Sequence, residues 1–316
     1  MKLLITRPLP DPVMAAARAR FDVTARAETT PLSDAELRMA LSEYDLVLPT
    51  LGDLFSAQVF ADVLNPRARL LANFGVGYNH IDVTAAAAAG IAVTNTPGAV
   101  TDATADTALT LILMTARRAG EGERMVRAGT WEGWHPTQML GLHVSGKTLG
   151  VIGMGRIGQA IAHRCHHGFG MDVVFQNRSP KTPSLPARQL ESMEAVAAAA
   201  DVLVVAVPGG ADTHHLIGAP VFAAMQRHAI LVNIARGDVV DEAALVEALR
   251  AGAFAGAGLD VYEYEPKVPD ALKAMENVTL LPHLGTAALE VRTAMGLMAV
   301  DNLLAFADGR PLPNSV

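Results

Sequence analysis

Residues 150–164, GVIGMGRIGQAIAHR, place Gly153, Gly155 and Gly158 in a G-x-G-x-x-G spacing. An apolar run, TLGVIG at 148–153, precedes them, and a stretch of helical periodicity at 157–167 comes after. Between a strand and a helix each glycine has a separate task. Gly153 permits the tight turn, Gly155 lets the backbone approach a diphosphate, and Gly158 lets helix and strand pack closely. The helix start turns free N–H groups toward an anion. A further apolar run, DVVFQ at 172–176, completes a β-α-β unit expected to bind a dinucleotide.

The same alternation extends in both directions. Toward the N-terminus, KLLIT (2–6), DLVLPT (45–50), RLLANF (69–74) and IAVTN (91–95) read as buried strands, with helices at 33–42, 56–64 and 80–89. Toward the C-terminus, ADVLVVAV (200–207), AILVNIA (229–235), FAGAGLD (254–260) and VTLLPH (278–283) alternate with helices near 190–199, 220–226 and 241–251. Nearly continuous Val, Ile, Leu and Ala in the strands is what a parallel sheet covered on both faces requires. A single long helix is predicted over 102–128, N-capped by Asp102. The fold class is therefore α/β, with two doubly wound, Rossmann-like parallel sheets. The last helix, 286–308, lies beyond the second series and is expected to cross back, making the substrate domain discontinuous: 1–98 plus 287–316, around a dinucleotide-binding domain at 99–286.

Composition narrows the function classes. A chain of 316 residues that is 51% hydrophobic and 18% charged can bury two ordinary cores. A formal charge of -7 offers no basic footprint for nucleic acid or an anionic membrane. No apolar run reaches the length of a membrane span, and the N-terminus lacks the run of a signal peptide, so a cytoplasmic location is expected. Cys165 is the sole cysteine, which excludes a disulfide framework and suits a buried thiol. His163, His166 and His167 follow the glycine turn on its helix, and the pair His214-His215 lies in a loop after Pro208-Gly209-Gly210; neither group is read as a metal site, and no metal is expected.

Cofactor choice turns on the residues just after DVVFQ. Asn177 lies 19 residues after Gly158 (177 − 158), where a carboxylate would hold the ribose 2′-OH of NAD, and no Asp or Glu stands there. Asn177 and Ser179 can hydrogen-bond a 2′ substituent, and Arg178 can pair with a 2′-phosphate that a carboxylate would repel. NADP(H) is the expected cofactor, with NAD(H), held by Asn177, the alternative.

Three ionisable residues stand beyond strands of the second series: Arg236 after ILVNIA, Glu265 after LDVYEY and His283 after VTLLP. In an open parallel sheet the ligand crevice lies outside the carboxyl ends of the strands, so the three can converge there. NIARGDVVDEAAL (233–245), GAGLDVYEYEP (256–266), LLPHLGTAA (280–288), FGVGYNHID (74–82), NTPGAVTDATAD (95–106) and LGVIGMGRIGQA (149–160) carry a resemblance, in order over nearly the whole chain, to the D-isomer-specific 2-hydroxyacid dehydrogenase family. The resemblance implies that Arg236, Glu265 and His283 are the catalytic Arg, Glu and His. It implies that the backbone amides of Val76 and Gly77 hold the substrate carboxylate. It also places Arg156, Ile157, Val207, Pro208, Thr213, Ile234, Ala235, Asp260, His283 and Gly285 among the cofactor contacts, and implies a homodimer built on the cofactor domains.

Residue chemistry suits that reading. A guanidinium can orient a keto acid's carboxylate and stabilise its carbonyl oxygen as charge develops, and an imidazolium charged by a neighbouring carboxylate can donate the proton. WEGWHPTQMLG (131–141) resembles the segment preceding the cofactor domain in glyoxylate/hydroxypyruvate reductases, in which a Trp reaches the partner subunit's active site. Trp134 is the candidate here; an aromatic plug at the domain junction is the other reading. A small 2-keto acid is the expected substrate, reduced to the D-2-hydroxy acid. The alternatives are an aromatic or branched keto acid in a pocket near Leu51, NAD-dependent phosphite oxidation, or a nucleotide-sensing binding protein.

Overall fold

The computed structural model describes residues Met1–Val316, which divide into two compact units, Met1–Val100 with Thr286–Val316, and Thr101–Gly285. The first unit contains β1 (Lys2–Ile5), β2 (Asp22–Ala25), β3 (Leu46–Leu48), β4 (Leu70–Ala72) and β5 (Ala92–Thr94) in a sheet of order β2-β1-β3-β4-β5. The second contains β6 (Thr148–Ile152), β7 (Asp172–Gln176), β8 (Arg188–Gln189), β9 (Val202–Val205), β10 (Ile230–Asn233), β11 (Gly256–Leu259) and β12 (Val278–Leu280), ordered β12-β11-β10-β9-β6-β7-β8. Every pairing within the two sheets is parallel.

The continuous apolar strands are explained by their surroundings. Alternate residues of one strand enter different cores: Leu149 and Val151 of β6 pack in one cluster, and Ile152 in the other. In the first sheet Leu4, Val47 and Leu71 join one cluster, and Leu3, Leu46 and Leu70 the opposite one. With both faces covered, neither side of a strand can be polar. Each buried Leu or Val contributes about 2 kcal/mol. Cys165 lies in the second unit's core, where burial pushes its thiol up to about 12.

The stretch 102–128 is not one helix. The chain forms Thr101–Ala116 and Ala119–Arg127, broken where Arg118 takes a left-handed φ of 53°. Asp102 sits in the first turn, not at the cap, and its carboxylate accepts from Arg164 at 2.8 Å. Helix Leu289–Ala307 belongs to the first unit, where it packs against helix Asp11–Arg18.

In the second sheet the chain leaves β6 for β7 and β8 on one side, then returns to β9 and proceeds to β12 on the other. The strand order reverses between β6 and β9, and loops at the carboxyl ends of these strands frame the crevice of a doubly wound sheet. No helix is long and apolar enough to cross a membrane.

Candidate active site

After β6 the chain turns at Gly153 with φ +99°. A methyl group there would lie 2.7 Å from the Ala206 carbonyl oxygen, and one on Gly158 would lie 2.1 Å from that of Gly153. Both positions are closed to any side chain. A methyl on Gly155 would meet nothing within 4 Å, so this backbone is open to an approaching ligand. Helix Arg156–Phe169 begins there without a side-chain cap, leaving its first amides to an external anion. The Asn177 side chain steadies the turn from β7: Oδ1 accepts from the Met154 amide at 3.2 Å, and Nδ2 donates to the Ser179 carbonyl at 2.9 Å. The Arg178 side chain is 93% exposed, with a guanidinium nitrogen 3.9 Å from the Asp212 carboxylate. Beyond β9, Thr213 Oγ1 donates to the Pro208 carbonyl at 2.8 Å and folds the loop after Val207. The open turn and the uncapped helix fit the diphosphate of a dinucleotide.

Arg236, Glu265 and His283 come after β10, β11 and β12 on this same edge of the sheet. His283 Nδ1 lies 2.9 Å from Glu265 Oε2, while Oε1 accepts from the Tyr262 amide at 3.1 Å. With Nδ1–H committed to the carboxylate, Nε2 is the nitrogen left for a substrate proton. Burial pushes the Glu265 carboxyl up, but the hydrogen bond and charge of His283, the Tyr262 amide and the Arg236 charge outweigh it and hold the group below its ordinary value. Burial likewise pulls the Arg236 guanidinium below its ordinary value, against the opposing charges of Glu265 and Asp238. Arg236 Nη1 donates to the Ala235 carbonyl at 2.7 Å, and its Nε is buried without a partner in the protein. A buried cationic donor left unmatched costs stability and is ready for an anionic acceptor.

Asp260, at the end of β11 and 2% exposed, ties the site together. Its two carboxylate oxygens accept from the amides of Leu284, at 2.6 Å, and Gly285, at 2.8 Å. Its carbonyl accepts from the His283 amide at 2.9 Å. His283 takes φ +55°, a conformation that costs about 1–3 kcal/mol and persists where neighbours over-determine it. These bonds supply that constraint. Ile234 and Ala235 are buried between β10 and Arg236.

In the first unit, Val76 and Gly77 lie in the loop after β4, and their N–H groups donate to no acceptor in the chain. Leu51 lies just beyond β3, and its carbonyl accepts from Arg7 Nη1. The loop around it is fixed by fully buried Asp53, which accepts from Thr6 Oγ1 at 2.6 Å and from the amides of Thr50, at 2.9 Å, and Leu32, at 3.0 Å. Trp134, in the second unit, is 79% exposed. The histidines at 214 and 215 have an acidic neighbour that sequence spacing hides, since His215 Nε2 lies 3.0 Å from Glu263 Oε1. A cavity of about 580 Å³ opens at the opposite end of the second sheet, lined in part by Thr115, Arg118, His228 and Asn277. Neither the glycine turn nor the Arg, Glu and His cluster lines it.

The family model for the D-isomer specific 2-hydroxyacid dehydrogenase, NAD binding domain, matches residues 109–285. Over 321 aligned residues the chain is 41% identical to the glyoxylate reductase of Thermococcus kodakarensis, covering 100% of this chain and 96% of the relative. Among solved structures, a Thermus thermophilus protein superposes with a TM-score of 0.91 at 43% identity, covering 100% of both chains. The NADPH-dependent glyoxylate/hydroxypyruvate reductase of Sinorhizobium meliloti, solved with NADP and malonate, gives 0.86 at 37% identity, covering 100% of this chain and 96% of that one.

Proposed function

The chain belongs to the D-isomer-specific 2-hydroxyacid dehydrogenase family and is thus an NAD(P)-dependent oxidoreductase, and from that premise we propose that it reduces glyoxylate or hydroxypyruvate with NADPH. The observation that carries the reading is the 2.9 Å pair of His283 and Glu265, set with the half-buried Arg236 on the sheet edge that bears the glycine turn. Relatives named glyoxylate reductase and the exposed Arg178 support the choice of acid and of cofactor.

The second unit holds the dinucleotide through the Gly153–Gly158 turn, Asn177, Arg178 and Ser179. When bound, its nicotinamide supplies the hydride. Arg236 directs its guanidinium at the keto acid and stabilises the carbonyl oxygen as negative charge develops. His283, held through Nδ1 by Glu265, donates a proton from Nε2 to that oxygen, completing the 2-hydroxy acid. In the reverse direction neutral His283 takes the hydroxyl proton. Glu265 keeps the ring oriented, and Asp260 keeps the turn that carries it. Val76 and Gly77 of the first unit are assigned to the substrate carboxylate.

Initial rates with glyoxylate, hydroxypyruvate, pyruvate and phenylpyruvate, each with NADPH and NADH, test the proposal. The highest kcat/KM is expected for glyoxylate or hydroxypyruvate with NADPH; a preference for phenylpyruvate or NADH refutes the corresponding half. Arg236→Ala is expected to lower kcat/KM about a thousandfold in the folded variant, the scale of losing a preorganised transition-state donor.

A further inference from the structure

On the reading that the Val76 and Gly77 amides hold the substrate carboxylate, we infer that Asn73, His80 and Asn95 are positioning residues that aim those amides. A peptide unit is planar, so its carbonyl and the next N–H point in opposite directions and turn together. The Val76 N–H is thus aimed by the Gly75 carbonyl, and the Gly77 N–H by the Val76 carbonyl. Both carbonyls are pinned. Gly75 O accepts from Asn73 Nδ2 at 3.1 Å and from the Thr96 amide at 3.0 Å. Val76 O accepts from Asn95 Nδ2 at 2.9 Å. Asn73 Nδ2 gives its second hydrogen to Gly77 O at 3.0 Å, closing the loop on itself.

Asn73 is fully buried, so its amide group has no water to fall back on. Its orientation is forced. Nδ2 faces two carbonyls, which only accept, and Oδ1 must therefore face the donor, His80 Nε2, at 3.0 Å. His80, 7% exposed, thereby keeps a proton on Nε2 and locks the amide that locks the loop. The chain of constraint runs from His80 to Asn73 to Gly75 and on to the Val76 amide, with Asn95 acting in parallel on Gly77. Gly75 itself takes φ +155°, which a side chain rarely permits, so the turn is built for this arrangement.

The test uses Asn95→Ala, His80→Leu and His80→Gln in the full-length chain, with glyoxylate and its methyl ester as substrates at saturating NADPH. Asn95→Ala and His80→Leu are expected to raise KM for glyoxylate about tenfold, with kcat held within about threefold, because a carboxylate binding site loosens while the reacting groups stay in place. The wild-type preference for acid over ester shrinks by the same factor. His80→Gln, which retains an N–H donor, restores the wild-type KM. An unchanged KM in Asn95→Ala and His80→Leu, or a loss of kcat equal on acid and ester, overturns the inference. If wild type handles acid and ester alike, the carboxylate reading itself falls.

Discussion

Arg178 puts a cation two residues beyond β7, in a chain where no carboxylate stands directly after that strand, and the proposal gives it the choice between the two nicotinamide cofactors. Its side chain is 93% exposed and only loosely tied to Asp212, so little must be broken for it to meet a 2′-phosphate. Arg178→Ala is expected to raise KM for NADPH about tenfold and leave KM for NADH unchanged, as a charge-assisted contact to phosphate is lost. Equal effects on both cofactors would mean the guanidinium plays no part in the choice. Glu265 makes a prediction about pH. Its folded value lies below the ordinary 4.5, so the stabilisation it gives is complete above that value and disappears as pH falls through the lower folded one. Glu265→Gln removes the linked group. The gap in urea midpoint between wild type and variant should therefore be largest at neutral pH and narrow on acidification; a constant gap would show that the carboxylate's ionisation does not contribute.

Gly237 shows how two connected segments share one site. A methyl group on it would fall 1.7 Å from the Tyr262 carbonyl carbon and 2.2 Å from the Glu263 nitrogen. The turn after β10, which carries Arg236, thus rests backbone to backbone on the loop after β11, which carries Glu265. Gly237→Ala must separate them, costing about 3 kcal/mol by analogy with overpacked cores. Because Arg236 is the neighbouring residue, kcat/KM should fall further than the folded fraction does, measured by urea unfolding alongside initial rates. Wild-type stability and rate together would contradict this account. The strands around these loops were legible because both faces are covered, which writes burial into every position. β2 was not, since Asp22, Val23, Thr24 and Ala25 lie at a sheet edge and largely face solvent. The break after Ala116 was hidden for another reason: left-handed backbone is usually marked by glycine, and here it falls on Arg118.

Across the chain, the apolar runs alone were enough to put Arg236, Glu265 and His283 beyond strand ends, the positions at which a doubly wound topology places a candidate site. Partnerships over long separations stayed hidden. Asp260 accepting from Leu284 and Gly285, or Asn95 pinning the Val76 carbonyl, depend on register between strands and leave no local pattern. A surface feature of the second unit was legible only as two tryptophans. Helix Ala119–Arg127 buries none of its residues, Val126 is 61% exposed, and Trp131, Trp134 and Leu140 come next at 52%, 79% and 68%. Aromatic and aliphatic exposure on neighbouring segments marks an association surface. A homodimer through this surface is the proposed state, and Val126→Glu is expected to shift sedimentation toward monomer and to weaken the dependence of Tm on protein concentration that a dimer shows. Trp134→Ala then separates two roles. If Trp134 reaches a partner's active site, the variant stays dimeric while KM for the keto acid rises. If it serves association alone, the dimer weakens, and KM measured well above the dissociation constant matches wild type. A dimeric Trp134→Ala with wild-type KM would leave the side chain without either role.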